Sequence, residues 1–163
     1  MYKKTWDRNI SNEMGRNNWN YLYTKFQKES IDNIKLKLMK KITLFTSTRA
    51  EYGLMKILIA NLEADKEFEF NLLVSGTHLS SIFGNTIDEI KEDGIKNIHL
   101  LPISLNESKN NDIGTITANT IKIITKKLKV LKPNYLILLG DRYESFGAAT
   151  AAHLMGIKII HLH

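Results

Sequence analysis

The sequence predicts an α/β fold built on a doubly wound parallel sheet, and three observations carry that expectation. From Lys41 onward, short apolar runs alternate with amphipathic stretches. The run Tyr135–Leu139 is apolar without a break, as a strand buried on both faces requires. The charged clusters Thr48-Arg49-Ala50-Glu51 and Gly140-Asp141-Arg142-Tyr143-Glu144 each follow an apolar run, which puts them on strand-to-helix turns. In an open parallel sheet all such turns lie at one carboxyl rim, so loops far apart in sequence converge on one crevice.

The elements follow in order. Residues 42–46 form a β-branched apolar strand, and residues 54–64 keep apolar positions at helical spacing. Residues 70–74 make the second strand, ending in Ser75-Gly76-Thr77-His78, and residues 85–92 read as a helix stopped at Gly94. Residues 98–102 are a weaker third strand. A polar loop over 106–112 leads into a long helix, Ile113–Leu131, stopped by Pro133. The strand Tyr135–Leu139, an Ala-rich helix over 144–155 and a last strand over 158–163 complete the series. Short connections between these elements call for right-handed crossovers.

Composition narrows the class. A chain of 163 residues with 43% hydrophobic content buries a proper core, expected as one domain plus an appendage. Without cysteine there is no disulfide framework and no thiolate chemistry. No apolar run is long enough for a membrane helix and no secretory signal pattern is present, so a cytoplasmic location is the default expectation, with no membrane partner. The net charge of +6 is concentrated in the first 40 residues, which hold nine Lys/Arg against four Asp/Glu. The main body is nearly neutral and lacks a basic stripe with interleaved aromatics, so no nucleic-acid partner is expected. Lys, Asn and Ile make up a third of the chain, as A/T-rich codons would encode, which points to a bacterial source.

Composition shifts between Ile34 and Met39. Residues 1–38 are a polar, basic leader that reads as extraneous to the fold, with a helical piece over 19–26 or a frayed tail as its two readings. Residues 39–163 are the domain, and Met39 is a candidate natural start.

The rim residues define what chemistry is open. Gly-x-Gly-x-x-Gly and the P-loop pattern are absent, so NAD and P-loop readings fall away and no cofactor is expected. Arg49 has the planar donor fork that suits phosphate, helped by the N-terminus of the following helix; the competing reading pairs it with Glu51 or Glu144. Asp141, at the end of the most buried run, is a candidate acid/base carboxylate in a partly desolvated position, or else a helix N-cap. Arg142 beside it is a candidate ligand contact, and Glu144 reads as first-turn helix stabilisation. His78 sits at the end of the second strand with ligand contact and structure equally open. His161 and His163, two apart on a strand, face one side, but without a nearby carboxylate they make a thin metal signal, and no metal is assigned.

In this order and spacing, Thr48-Arg49-Ala50-Glu51-Tyr52-Gly53, Ser75-Gly76-Thr77-His78, Phe83-Gly84-Asn85-Thr86, Gly140-Asp141-Arg142-Tyr143-Glu144 and Ile160-His161-Leu162-His163 resemble the N-terminal half of hydrolysing UDP-N-acetylglucosamine 2-epimerases, over residues 39–163. The resemblance implies a glycosyltransferase-B-like architecture of two Rossmann-like domains with the nucleotide sugar between them, of which this chain is the first, so the fold is expected to be truncated. It implies conversion of UDP-GlcNAc and water to ManNAc and UDP for sialic-acid-type sugars, or the same reaction on a 4-acetamido-6-deoxy UDP-sugar of the legionaminic acid route. By motif match Asp141 is the catalytic aspartate, Arg49 and Arg142 contact the ligand and its phosphates, and His78, His161 and His163 line the cleft. The family continues past the His-x-His strand with Gly-Gly-Glu and a second domain. The chain alone is therefore expected to be inactive, with a C-terminal half or a homo-oligomer as partner and an exposed sheet edge prone to association. The alternative is a non-catalytic domain that binds a nucleotide sugar or another protein.

Overall fold

The computed structural model describes residues 24, 25, 27–29, 39–81, 84, 86–103 and 112–163. The chain divides into two units, Met1–Met39 and Lys40–His163. Of the first, residues 24, 25 and 27–29 are helical and exposed and Met39 is a half-buried bend; the rest of the predicted helix over 19–26 lies outside the described residues, as does most of the loop over 106–112.

The second unit is a single five-stranded sheet. Its elements are β1 (Lys40–Thr46), α1 (Arg49–Ala64), β2 (Phe68–Val74), a 3-10 turn (Gly76–Leu79), α2 (Ile87–Glu92), β3 (Ile98–Leu100), α3 (Ile113–Leu131), β4 (Tyr135–Leu139), α4 (Tyr143–Leu154) and β5 (Lys158–Leu162). The strand order is β3-β2-β1-β4-β5, with every pairing parallel. The chain winds outward from β1 through β2 to β3, then returns to lay β4 on the other side of β1. The order reverses between β1 and β4, and in this architecture the crevice above that point is where ligands bind.

Side-chain alternation explains the two helical layers. Ile42, Leu44, Leu72, Val74 and Ile137 face one side and pack with Tyr52, Met55 and Ile59 of α1 and Ile90 of α2. Phe45, Leu73, Leu136 and Leu138 face the other side against Ile124 and Leu128 of α3 and the alanines 148, 151 and 152 of α4. Strands buried on both faces must read as unbroken apolar runs, which is why Tyr135–Leu139 is legible. α3 ends where Pro133 dictates, with Lys132 as its cap in the left-handed region at φ 49°.

Three of the boundaries that differ from the sequence reading bear on the rim. α1 starts at Arg49 rather than residue 54, because Thr48 and Glu51 form a capping box that begins the helix directly after β1. β3 is three residues long, an edge strand whose partner contacts end at Leu100. β5 ends at Leu162, and His163 follows at φ 67°.

The rim turns after β1 and β2 are locked together. Thr77 donates from its backbone N–H (2.9 Å) and its hydroxyl (3.1 Å) to the Ser47 carbonyl, and the Ser75 N–H donates to the Thr46 carbonyl at 3.0 Å. The approach is close enough to require glycine: Gly76 has φ +60°, and a Cβ there would lie 2.6 Å from the Ser47 carbonyl oxygen.

His78 supports the same junction from below. It has no exposed surface, its Nε2 lies 3.1 Å from Thr46 Oγ1 and its Nδ1 2.7 Å from Thr86 Oγ1. Because the Thr46 hydroxyl donates to the Thr48 carbonyl, it accepts from His78 Nε2–H, which leaves Nδ1 to accept from Thr86. The ring also stands edge-on to Tyr52. The sequence left ligand contact open for His78; the structure uses both of its ring nitrogens internally, one layer beneath the rim. Burial pushes its pKa down from 6.5 to about 4, against the backbone hydrogen bond to Thr48 and the charge of Glu89.

Among the described residues, no helix is long and apolar enough to cross a membrane. β5 is an edge strand with Ile159 and Ile160 37% and 40% exposed, so its outer backbone groups are open to pairing.

Three outcomes are expected. Gly76→Ala should cost about 1–3 kcal/mol from the backbone alone, with more from the clash, read as a lower denaturant midpoint. His78 is harder to protonate folded than unfolded, so its contribution is intact above pH 6.5 and drains away as pH falls toward about 4; the melting temperature should drop more steeply across that window in wild type than in His78→Gln. Ile160→Lys should reduce concentration-dependent self-association in sizing runs, and no reduction would show that the β5 edge is not the contact.

Candidate functional site

The site is assembled from the turns after β1 and β4 and from the end of β5. At the end of β1, Ser47 has no exposed surface and Glu51 is 5% exposed. The Glu51 carboxylate turns back over the start of its own helix and accepts from the Ser47 N–H (2.7 Å), the Thr48 N–H (3.1 Å) and the Ser47 hydroxyl (3.1 Å). The Thr48 hydroxyl accepts from the Glu51 N–H at 3.3 Å. Burial pushes the Glu51 carboxyl above its ordinary value, while the donors from Ser47 and Thr48 and the charge of Arg142 pull the other way. The Thr-x-x-Glu spacing is the signal for this arrangement, and it starts the helix within the segment that the sequence places on a strand-to-helix turn.

Arg49 stands on the first turn of α1 with its side chain 72% exposed. It pairs with Glu89 of α2 through Nε at 3.0 Å, not with Glu51 or Glu144. Glu51 is already saturated by backbone donors, and Glu144 by Arg142. An exposed pair of this kind contributes little to stability, so Arg49 is free to exchange Glu89 for a ligand anion at small cost.

After β4, Gly140 adopts φ +79° and swings the following residue outward. Asp141 is consequently exposed, not partly desolvated as the sequence suggested. Nor is it the N-cap: Arg142 holds that position, without a side-chain cap bond. Arg142 is half-buried and donates Nε to Glu144 Oε2 (3.1 Å) and Nη2 to Glu144 Oε1 (3.0 Å). Glu144 does sit in the first turn of α4, as expected, yet it is also completely buried beneath the arginine. The pairing holds the Arg142 guanidinium still more firmly in its charged form.

His161 of β5 donates Nε2–H to the Gly140 carbonyl at 2.8 Å, which ties the last strand to the β4 turn. Asp141 and His161 then line one pocket of about 370 Å³ with Leu138, Ser145, Phe146 and Ile159. A second pocket, of about 340 Å³, against Tyr52, Lys56 and Asp93 lies away from these residues, and its polar groups already pair with one another. The structure therefore brings Asp141, Arg142 and His161 to the rim at β4 and β5, holds Arg49 across the switch point on α1, and sets His78 below. His163 lies past the end of β5, exposed. Among the described residues no group of three or more His, Asp or Glu side chains is placed to hold a metal ion.

This arrangement has two cationic groups and one exposed carboxylate on turns that face a common rim. Such a set can bind an anionic ligand through the guanidinium groups and exchange a proton with it through the carboxylate.

Comparison with known proteins places the geometry in a family. Residues 60–163 match the family model described as UDP-N-acetylglucosamine 2-epimerase. A Legionella pneumophila protein named UDP-N,N'-diacetylbacillosamine 2-epimerase (hydrolyzing) is 32% identical over 126 residues, covering 77% of this chain and 33% of that protein. An Escherichia coli protein named for polysialic acid biosynthesis is 33% identical over 125 residues, covering 77% of this chain and 32% of its own length. The crystal structure of UDP-GlcNAc 2-epimerase from Neisseria meningitidis bound to UDP-GlcNAc superposes with a TM-score of 0.62 at 26% identity, over 76% of this chain and 31% of that one. The chain thus spans about a third of the length of the relatives it matches. Since the matched stretch is well over half of its sequence and carries the β4 turn and strand β5, the protein belongs to the UDP-N-acetylglucosamine 2-epimerase family.

Proposed function

We propose that residues 39–163 form the N-terminal, Rossmann-like wall of a hydrolysing UDP-N-acetylglucosamine 2-epimerase, which converts UDP-GlcNAc and water to ManNAc and UDP for sialic-acid-type sugars. The observation that carries the reading is the meeting of Asp141 and His161 in one pocket with Arg142 on the adjoining turn. On this reading Arg142 and Arg49 neutralise the diphosphate, and Asp141 exchanges the proton that the chemistry requires. UDP leaves C1 as a proton is taken from C2, giving a 2-acetamidoglucal, and water then adds at C1 while C2 regains a proton on the opposite face. Both steps need acid/base groups whose geometry is fixed before the substrate arrives. No cofactor enters this scheme, and the remaining wall of the cleft comes from polypeptide beyond this chain or from another subunit.

A second substrate is favoured by a specific observation. The Legionella relative is named for a diacetylbacillosamine sugar, as is a Campylobacter jejuni relative at 31% identity. A 4-acetamido-6-deoxy UDP-sugar presents the same diphosphate and the same C2 centre to the rim, so it meets the same residues.

The test is a UDP-release assay with each UDP-sugar, on the 163-residue chain alone and mixed with the separately expressed C-terminal part of a relative. Turnover only in the mixture is expected, and Asp141→Asn should lower it by at least about a hundredfold, the usual range for an acid/base group. Unchanged turnover in the variant would remove Asp141 from the reaction. No turnover in any mixture would leave the non-catalytic binding domain as the better reading.

A further inference from the structure

The nucleotide-sugar reading leaves one rim feature without a role. Glu144 is an ionisable side chain with no exposed surface, and both its carboxylate oxygens are committed to Arg142. A buried ion pair is weak evidence for stabilisation, because removing the carboxylate from water offsets most of what the pairing returns. The geometry is better suited to orientation. Glu144 engages Nε and one hydrogen of Nη2, which grips one edge of the guanidinium plane. The guanidinium carbon lies 5.3 Å from the centre of the Tyr143 ring, which supports one face. The side chain keeps 37% of its surface exposed, and its bonds to Glu144 use Nε and Nη2, not Nη1. The second buried carboxylate, Glu51, acts on the same guanidinium across the switch point as a negative charge.

We propose that Glu144 is a positioning residue, which holds the Arg142 guanidinium so that its outward N–H groups meet the diphosphate of a UDP-sugar; this rests on the nucleotide-sugar reading above. A free arginine loses rotamer freedom when it closes on an anion, whereas one already clamped along an edge and a face loses little. The clamp also selects which donors remain for the ligand. Nη1 and the outer hydrogen of Nη2 point away from Glu144, and together they form the fork that two phosphate oxygens accept.

UDP is titrated into the 163-residue chain mixed with the separately expressed C-terminal part of a relative, and the amide and arginine Nε–H signals of the 163-residue chain are followed by NMR. Glu144→Gln should bind UDP about tenfold more weakly, the loss expected when a charge-assisted pair is removed, while amide signals away from the rim keep their positions. Glu144→Asp, which restores the charge on a shorter arm, should recover part of that loss. UDP affinity unchanged in Glu144→Gln overturns the proposal alone. Wild type that does not bind UDP overturns the nucleotide-sugar reading and the proposal with it. Should Glu144→Gln fail to fold, Arg142→Lys keeps the buried carboxylate and a positive charge but lacks the fork; it should show the same loss, and unchanged affinity there overturns the proposal.

Discussion

The rim depends on how the chain leaves β1. An α-helix that starts immediately after a buried strand leaves its first amides without partners in a place that water reaches poorly. Glu51 resolves this by folding its carboxylate back onto the Ser47 and Thr48 amides while Thr48 caps the Glu51 amide. Because Ser47 is fixed by its own N–H, its carbonyl can serve as the common acceptor for Thr77. That contact draws the turn after β2 so close that only glycine fits at position 76. One carboxylate thus sets the direction of α1, the exposure of Arg49 and the height of the neighbouring turn.

Charge at the rim follows from the same economy of partners. Glu51 and Glu144 are both buried, and Arg142 is a cation whose charge acts on both. Glu51 offsets its burial with backbone donors, and Glu144 does so with the guanidinium. Each acid is satisfied by a different chemistry, so Arg49 is left to solvent and to the weak, exchangeable contact with Glu89. The crevice therefore offers one fixed guanidinium and one mobile one.

Much of the fold was legible because it rests on local pattern. The unbroken run Tyr135–Leu139, the stop at Pro133 and the alternation of runs and helices each have a cause within a few residues. The start of α1 was also legible, from Thr48 and Glu51, but the density of charge in that segment suggested a loop. Burial of Glu144 was not legible, since it depends on α4 packing against the sheet rather than on neighbours in sequence. Asp141 shows the opposite error: a residue after the most buried strand was expected to share its burial, yet a single left-handed glycine turned it outward. His78 illustrates a third case, in which a polar residue at the right end of a strand lies one layer too deep because two threonines, thirty-two and eight residues away, claim its nitrogens.

Exposure of Asp141 carries an argument about what the proposed chemistry needs. A carboxylate that must take a proton from carbon works best where water is excluded and the surrounding dipoles are fixed. Here the floor of the pocket is apolar, formed by Leu138 and Ile159, while Asp141 stands at the exposed rim of β4 with His161 close by on β5. A wall with one fixed cation and an open carboxylate suits a site completed by a second surface. In the proposed reaction such a wall would orient the diphosphate in advance, and closure of the other surface would then exclude water from the one group that has to move a proton.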